Sequence, residues 1–158
     1  MKIPDNLNFY MRILLIISLV VIDHITKFLI RENLFLGQTI YILPFLNITR
    51  IENTGIAFGL FQNYKYSNLI FTAIALLLIL IMIFFIKRHT HKWINFSFLL
   101  IISGAIGNII DRIFLGKVTD FIELHIGRYY WPAFNVSDSL ITIGAVIIGI
   151  NILCTRNY

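Results

Sequence analysis

The segment GNIIDRIFLGKVTDF, residues 107–121, passes from an apolar helix pattern to a charged, strand-like pattern within fifteen residues. Its charged side chains are Asp111, Arg112, Lys117 and Asp120. A charged side chain inside a lipid bilayer costs at least about 2.5–3.5 kcal/mol, so such residues usually face a protein interior or a cavity. The segment therefore predicts that a membrane helix ends near residue 114 beside a polar site.

The composition is that of an integral membrane protein. Of the 158 residues, 58% are hydrophobic and 13% are charged, and the mean hydropathy is +0.84. These values are too apolar for an ordinary soluble domain. The net charge of +5 comes from basic residues that flank apolar runs, which argues against a nucleic-acid partner. The single cysteine, Cys154, excludes an intramolecular disulfide.

Four apolar runs have about the 20 residues that a helix needs to cross a hydrocarbon core of roughly 30 Å. They cover residues 9–30, 68–86, 93–114 and 137–154. No small-residue cleavage site follows the first run, so it is predicted to be a retained helix and not a signal peptide. The chain, residues 1–158, is expected to form one membrane domain, an all-α bundle of four transmembrane helices.

Basic residues predict the orientation of this bundle. The segment KRHTHK, residues 87–92, is the densest basic loop. The basic residues near the two ends are Lys2, Arg12 and Arg156. Cytoplasmic loops carry an excess of Lys and Arg, so both termini are expected to be cytoplasmic. Segments 31–67 and 115–136 would then lie on the extracytoplasmic side of the membrane.

The two outer segments contain strand-like stretches. These are QTIYIL (38–43), FLNITRI (45–51) and KVTDFIELHI (117–126). In the last of them, four alternating residues would share one face of a strand, namely Val118, Asp120, Ile122 and Leu124. We therefore expect a small extracytoplasmic β platform on the helical bundle.

The third helix carries a polar side. Gly104, Asn108 and Arg112 are spaced by four, and Asp111 comes three residues after Asn108. Residues with this spacing lie close together on a helix. A small residue permits close helix packing, and an asparagine can hydrogen-bond across a bundle. Asp111 and Arg112 are interpreted as an ion pair or a helix-end anchor, although Arg112 could also orient a carboxylate or a substrate carbonyl.

Two other helices also carry polar residues. Asp23 and Lys27 lie at positions i and i+4 of the first helix, in the order that favours an ion pair. In the fourth helix, Asn135 is placed to cap the N-terminus and Asp138 falls in the first turn. Asp120 has no comparable structural explanation.

If Asp120 and Asp138 meet, their repulsion would separate their protonation states. One could then accept a proton from water while the other donates to a carbonyl oxygen, which is the requirement for peptide hydrolysis by two carboxylates. The same acids could instead serve a small ion- or proton-coupled transporter. A third reading is a non-catalytic scaffold or binding chaperone.

Five motifs make the chain resemble the lipoprotein signal peptidases, the type II signal peptidases of bacteria. They are DHITK (23–27), NTGIAFG (53–59), GNIIDR (107–112), VTDF (118–121) and FNVSDS (134–139). The resemblance implies an aspartyl endopeptidase that cleaves diacylglyceryl-modified prolipoproteins immediately before the lipidated cysteine. It also implies a multi-pass protein of the bacterial inner membrane with its active site near the outer face.

The resemblance implies a role for each matched residue. The catalytic acids would be Asp120 and Asp138. The residues implied to line the site, bind substrate or support the fold are Asn108, Arg112, Asn135, Asn53, Gly55, Asp23, Lys27 and Asp111. Two positions depart from the family pattern: Thr119 replaces an aliphatic residue, and Ser137 replaces alanine, where its hydroxyl could alter the hydrogen bonding around Asp138.

The resemblance also implies the partners of the protein. They are the lipid-modified prolipoprotein and the membrane lipids, and inhibition by globomycin-type cyclic peptides is expected. Hydrolysis by two carboxylates needs no metal or other cofactor, and none is expected. The apolar residues Ile56, Phe58, Leu60 and Phe61 are candidates for shielding the site.

Overall fold

The computed structural model describes residues 5–55, 66–86 and 92–155, and their side chains between residues 9 and 154. Its helices are α1 (Asp5–Asn33), α2 (Ser67–Ile86), α3 (Lys92–Leu115) and α4 (Val136–Thr155). Its strands are β1 (Thr39–Leu43), β2 (Leu46–Asn53), β3 (Val118–Ile126) and β4 (Tyr129–Tyr130). All four helices are long and apolar enough to cross a membrane, which confirms the four predicted helices. The three predicted strands correspond to β1, β2 and β3.

The strands form one antiparallel sheet in the order β1-β2-β3-β4. In the β2–β3 pair, Ile51 lies opposite Asp120 and Asn53 lies opposite Val118. A register shift between Ile48 and Ile51 interrupts the pairing just before these residues. The sheet therefore brings the C-terminal end of β2 alongside the N-terminal part of β3, where Asp120 is located.

α3 is the central helix and packs against α1, α2 and α4. Its contact with α4 is close because glycines line it. A Cβ on Gly104 would collide with the Ser137 carbonyl oxygen, and a Cβ on Gly144 would lie 2.8 Å from the Ser97 carbonyl oxygen. These clashes explain why small residues occur here, as the sequence predicted for Gly104.

The end of α1 is joined to the sheet by Arg50 of β2. The Arg50 guanidinium donates to the carbonyl oxygens of Arg31 and Leu34, at 2.8 and 2.9 Å. These oxygens belong to the last turn of α1 and its continuation, where helix carbonyls have no partner within the helix. Glu52 of β2 adds a further connection, because it pairs both with Arg50 and with Lys117, which immediately precedes β3. The hydrogen bond from Lys117 is the largest factor that lowers the pKa of Glu52.

Several features of the sequence analysis fall outside the described residues. Ile56, Phe58, Leu60 and Phe61, the candidates for shielding, belong to this group. So do Lys2, Arg156 and the first five residues of the basic loop.

The burial of β3 differs from the alternation predicted for residues 117–126. Residues 118–121 are all buried, so both faces of β3 are covered at its start.

Candidate active site

Asp120 lies on β3, and each of its carboxylate oxygens accepts a hydrogen bond from an asparagine. Oδ1 accepts from Asn135 Nδ2 at 2.7 Å, and Oδ2 accepts from Asn53 Nδ2 at 3.0 Å. The Asn53 amide is itself fixed, because its oxygen accepts a hydrogen bond from the Gly55 backbone N–H at 2.9 Å. Only 3% of Asp120 is exposed. The carboxyl group is therefore held in one orientation by two amides.

Asp138 lies in the first turn of α4, and Asn135 caps this helix. The Asn135 side-chain oxygen accepts from the Asp138 backbone N–H at 2.9 Å, and Asp138 Oδ2 accepts from the Asn135 backbone N–H at 3.3 Å. This reciprocal arrangement is a capping box. The predicted capping role of Asn135 is thus confirmed.

Asn135 also joins the two acids. Its oxygen is occupied by the Asp138 N–H, so its amide nitrogen is the atom directed at Asp120. One buried side chain therefore contacts the first turn that carries Asp138 and the carboxylate of Asp120. The two aspartates predicted to meet are brought to opposite sides of a single asparagine.

The electrostatics of Asp120 follow from this setting. Its pKa is raised to about 7, chiefly by burial and next by the negative charge of Asp138. The hydrogen bonds from Asn53 and Asn135 and the positive charge of Lys27 oppose this rise without cancelling it. Asp120 is therefore a carboxyl group that holds a proton in the neutral pH range.

Asn108 of α3 contacts Asp138 from the other side. Its amide nitrogen donates to Asp138 Oδ1 at 2.8 Å, and its oxygen accepts from Lys27 Nζ at 3.0 Å. Arg112, one turn further along α3, donates to the Gly55 carbonyl oxygen at 3.2 Å. Asn108 and Arg112 thus both face the region of the two aspartates.

A buried ion cluster of Asp23, Lys27 and Asp111 adjoins Asn108. Lys27 Nζ is 2.8 Å from Asp23 Oδ2 and 3.2 Å from Asp111 Oδ2. The predicted pair of Asp23 and Lys27 is confirmed. Asp111 and Arg112 do not form the ion pair that was one of their two predicted roles. Asp111 is directed at Lys27 of α1, and Arg112 is directed at the Gly55 carbonyl oxygen. Consecutive residues of a helix point about 100° apart, so they reach different neighbours.

The aspartates line a cavity of about 790 Å³. Its remaining lining comes from β2, β3, α2, α3, α4 and the segment before α4, and most of it is apolar. Examples are Phe71, Ile79 and Met82 of α2 and Ile141 of α4. Three of the four residues predicted to share one face of β3 line it, namely Val118, Asp120 and Leu124, whereas Ile122 is not part of the lining. The polar groups therefore lie on the wall of a largely apolar cavity.

Sequence reasoning missed the role of Arg31. Its guanidinium donates to Thr119 Oγ1 at 3.1 Å and lies 3.9 Å from Asp111 Oδ1. The signal was present, because Asp23, Lys27 and Arg31 recur every four residues on α1. The contact also gives Thr119 a hydrogen-bond partner that an aliphatic residue would lack.

Comparisons with known proteins show the family to which the chain belongs. The model of the Signal peptidase (SPase) II family matches residues 15–154. The chain is 42% identical over 142 residues to the lipoprotein signal peptidase of Thermodesulfovibrio yellowstonii, which covers 90% of this chain and 94% of the relative. It is 40% identical over 136 residues to that of Burkholderia thailandensis, with 84% of this chain and 82% of the relative covered.

Two solved structures show the same fold. Both are described as bacterial membrane enzymes determined by the in meso method, at 2.3 and 1.9 Å resolution. The first has a TM-score of 0.84 at 32% identity and covers 92% of this chain and 89% of its own. The second has a TM-score of 0.81 at 32% identity, with 90% and 92% covered. None of these comparisons supports the transporter alternative. The chain belongs to the signal peptidase II family and is a membrane protease.

Proposed function

We propose that the protein is an aspartyl endopeptidase of the bacterial inner membrane that cleaves prolipoproteins immediately before a diacylglyceryl-modified cysteine, with Asp120 and Asp138 as the catalytic residues. The observation that carries this proposal is the position of Asn135, which contacts both aspartates on the wall of the apolar cavity. Membership of the signal peptidase II family supports the substrate class, because the named relatives are lipoprotein signal peptidases.

The two acids are assigned different protonation states in the resting enzyme. Asp120, with its pKa raised to about 7, carries the proton. Asp138 is the charged partner, because it lies in the first turn of α4 and accepts hydrogen bonds from Asn108 and the Asn135 backbone. The N-terminus of a helix stabilises negative charge. The pair then has one base and one acid, as peptide hydrolysis requires.

The reaction follows from these states. Asp138 removes a proton from a water molecule, whose oxygen forms a bond to the scissile carbonyl carbon. Asp120 donates its proton to the carbonyl oxygen, which gives a neutral gem-diol. The gem-diol collapses as one hydroxyl proton returns to Asp120 and the proton on Asp138 moves to the leaving amine of the lipidated cysteine. The C–N bond breaks, and both acids return to their starting states.

The cavity suits a substrate that carries acyl chains. A diacylglyceryl group is apolar and reaches the enzyme from the bilayer, so an apolar cavity beside the acids offers it a place to bind. Arg112 and Asn53, which share the cavity wall with the acids, are assigned to the peptide backbone next to the cleavage site. Gly55 supports both residues through its backbone N–H and carbonyl. Globomycin-type cyclic peptides are expected to compete for this cavity.

The proposed topology places both termini in the cytoplasm and the sheet on the extracytoplasmic side of the membrane. The chain then forms one membrane domain with its active site near the outer face. Cys154 tests the orientation, since it is the only cysteine, is exposed and lies near the end of α4. A membrane-impermeant maleimide should label it in inverted inner-membrane vesicles and leave it unlabelled in intact spheroplasts. Labelling in spheroplasts would contradict this topology.

Detergent-solubilised protein should be incubated with a diacylglyceryl-modified prolipoprotein and with an unlipidated control, each with and without a chelator. Mass spectrometry should find the released signal peptide only with the lipidated substrate, and the amount released should be the same with and without the chelator. Asp120→Asn and Asp138→Asn should each remove turnover, by a factor of about 10³ or more. Glu123→Gln, which neutralises a β3 carboxylate that accepts from Asn47, is the matched control and should cleave normally.

Either of two results would reject the proposal. Retained turnover in a folded Asp120→Asn or Asp138→Asn variant would remove the aspartates from the chemistry. Substrate binding without any product from the wild-type chain would favour the scaffold reading.

A further inference from the structure

The cluster of Asp23, Lys27 and Asp111 is a charged layer of three ionisable side chains that are 0–2% exposed, and it contacts residues next to the two aspartates. Breaking a buried ion pair is costly, but replacing a whole pair by apolar residues is often neutral or stabilising. Stability alone therefore does not explain why this layer is charged. Its contacts with the elements that carry Asp120 and Asp138 suggest a different explanation.

Each acid of the cluster holds a backbone N–H beside one of the catalytic aspartates. Asp23 Oδ1 accepts from the Ser137 N–H at 2.8 Å, and Ser137 immediately precedes Asp138. Asp111 Oδ2 accepts from the Thr119 N–H at 3.4 Å, and Thr119 immediately precedes Asp120. The cluster is therefore attached to the start of α4 and to the start of β3 at equivalent places.

Lys27 provides a third attachment, through Asn108. An ammonium group has three N–H donors and no acceptor, and three oxygens surround Lys27 Nζ within 3.2 Å. One is Asn108 Oδ1, at 3.0 Å. A carboxylate can only accept, so Asn108 must present its nitrogen to Asp138 and its oxygen to Lys27. Without the ammonium, the amide could rotate and place its oxygen against the Asp138 carboxylate, where the two acceptors would repel.

We propose that Lys27 is a positioning residue for peptide hydrolysis: it fixes the Asn108 amide so that Asn108 donates to Asp138, and it joins the two acids that anchor the start of α4 and the start of β3. This inference rests on the proposed catalytic roles of Asp120 and Asp138. Lys27 does not contact the reacting atoms and acts through Asn108.

The test is a double-mutant cycle with Lys27→Met, Asn108→Ala and the double variant. Lys27→Met keeps most of the side-chain length and removes the charge and the donors. We expect kcat to fall about 10- to 100-fold in each single variant, as when partners that orient catalytic groups are removed. KM should change less than about threefold, because the substrate does not touch Lys27. Since both changes remove one chain of contacts, the double variant should be about as slow as the slower single variant.

The controls separate positioning from folding. Lys92→Met removes an exposed lysine at the N-terminus of α3 and should leave kcat unchanged. All rates are divided by the folded fraction, measured by gel filtration and circular dichroism in detergent. If Lys27→Met does not fold, Asp23→Asn with Lys27→Met removes one charge of each sign, keeps the net charge of the cluster, and allows the same cycle with Asn108→Ala.

The outcomes distinguish this inference from the proposed function. If kcat is unchanged in Lys27→Met, or if the two losses multiply in the double variant, the positioning role is wrong. The catalytic assignment stands in that case, provided that Asp120→Asn and Asp138→Asn are still inactive. If the aspartate variants turn over, the proposed function fails first, whatever Lys27→Met does.

Discussion

Helices α2 and α3 differ in a way that reverses the usual rule for soluble proteins. The span of α2 has a mean hydropathy of 3.3, and 6% of it is buried inside the protein. The span of α3 has a mean hydropathy of 1.8, and 61% of it is buried. Lipid tails are as apolar as the side chains, so an apolar side chain gains little by moving from lipid into the protein interior. The most apolar helix therefore faces outward, and the more polar one occupies the centre. The least apolar of the four spans is thus the one at the centre of the bundle.

The packing of α3 shows what this central position requires. Its buried apolar residues Ile102, Ala105 and Ile109 form a core cluster with Ile79 of α2. Its glycines allow α4 to approach, and Asn108 and Asp111 connect it to the polar site. α2 contains no Asp, Glu, Lys or Arg, and it contributes apolar cavity wall. Substitutions should therefore have large effects at the buried positions of α3 and small effects at the exposed positions of α2.

The largest difference in stability should come from shortening an apolar side chain on each helix. Ile102→Ala, at a residue that is 3% exposed, should lower the free energy of unfolding by about 2–5 kcal/mol through the cavity it creates. Leu80→Ala, at a residue of α2 that is 65% exposed, should cost less than about 0.5 kcal/mol. Thermal unfolding in detergent measures both. Equal losses would contradict the assignment of α2 to the lipid-facing side.

A smaller effect is expected from adding one methyl group where α3 meets α4. The Cβ of Gly107→Ala would collide with Ser137 Oγ and lie 2.7 Å from Asp23 Oδ2, so we expect a loss of about 1–3 kcal/mol. Gly149→Ala on α4 is the matched control, since nothing lies within 4 Å of the new Cβ. It should be neutral or slightly stabilising, because alanine is the better helix former. If Gly107→Ala were as stable as the control, the close packing of α3 and α4 would be wrong.

The comparison extends to pH, because the ionisable group with a raised pKa, Asp120 of β3, lies on the cavity wall together with residues of α3. The pKa of Asp120 is raised from 3.8 to about 7, so the native state holds a proton that the unfolded state releases between these values. The contribution of Asp120 to stability is therefore fully present below pH 3.8 and is lost as the pH rises through about 7. Asp120→Asn removes this titration.

We therefore expect Asp120→Asn to raise the Tm relative to wild type by more at pH 8 than at pH 4, on the order of a few degrees, since each kcal/mol moves Tm by about 2–4 °C at this size. Differential scanning fluorimetry at the two values measures the difference. Leu80→Ala should give the same Tm change at both. A benefit of Asp120→Asn at pH 4 alone would mean that the sign of the shift is wrong.

The smallest effect is expected at Ser137. Its side chain is 0% exposed, and its hydroxyl makes no hydrogen bond within the described part of the chain. Ser137→Ala removes a buried hydroxyl without removing a partner, so stability should be unchanged or rise by less than about 1 kcal/mol. The Ser137 backbone N–H that Asp23 accepts is kept. A fall in kcat would revive the idea that the hydroxyl influences Asp138.

The sequence predicted those parts of the fold that depend on local patterns. The four helices, the three longer strands, the Asp23–Lys27 pair and the Asn135 cap all follow from hydropathy, alternation or short spacing. The place of Gly104 at a close helix contact followed from residue size.

The rest could not be predicted because it depends on how distant elements meet. Nothing local indicates that Asp111 turns to Lys27, 84 positions earlier, or that Asn53 contacts Asp120 across two strands. The register shift between Ile48 and Ile51 helps to set that last contact, and alternation alone does not reveal it. The cavity likewise exists only once α2 and α4 are both in place beside α3.

The capping box at the start of α4 gives the enzyme a natural reporter. The backbone N–H of Asp138 is bonded to the Asn135 side-chain oxygen, and that same side chain holds Asp120. If the first turn of α4 frays, this amide is released and the two aspartates lose their connection at the same moment. The hydrogen-exchange rate of one amide therefore measures how often Asp120 and Asp138 lose this connection, in the resting protein and without any substrate.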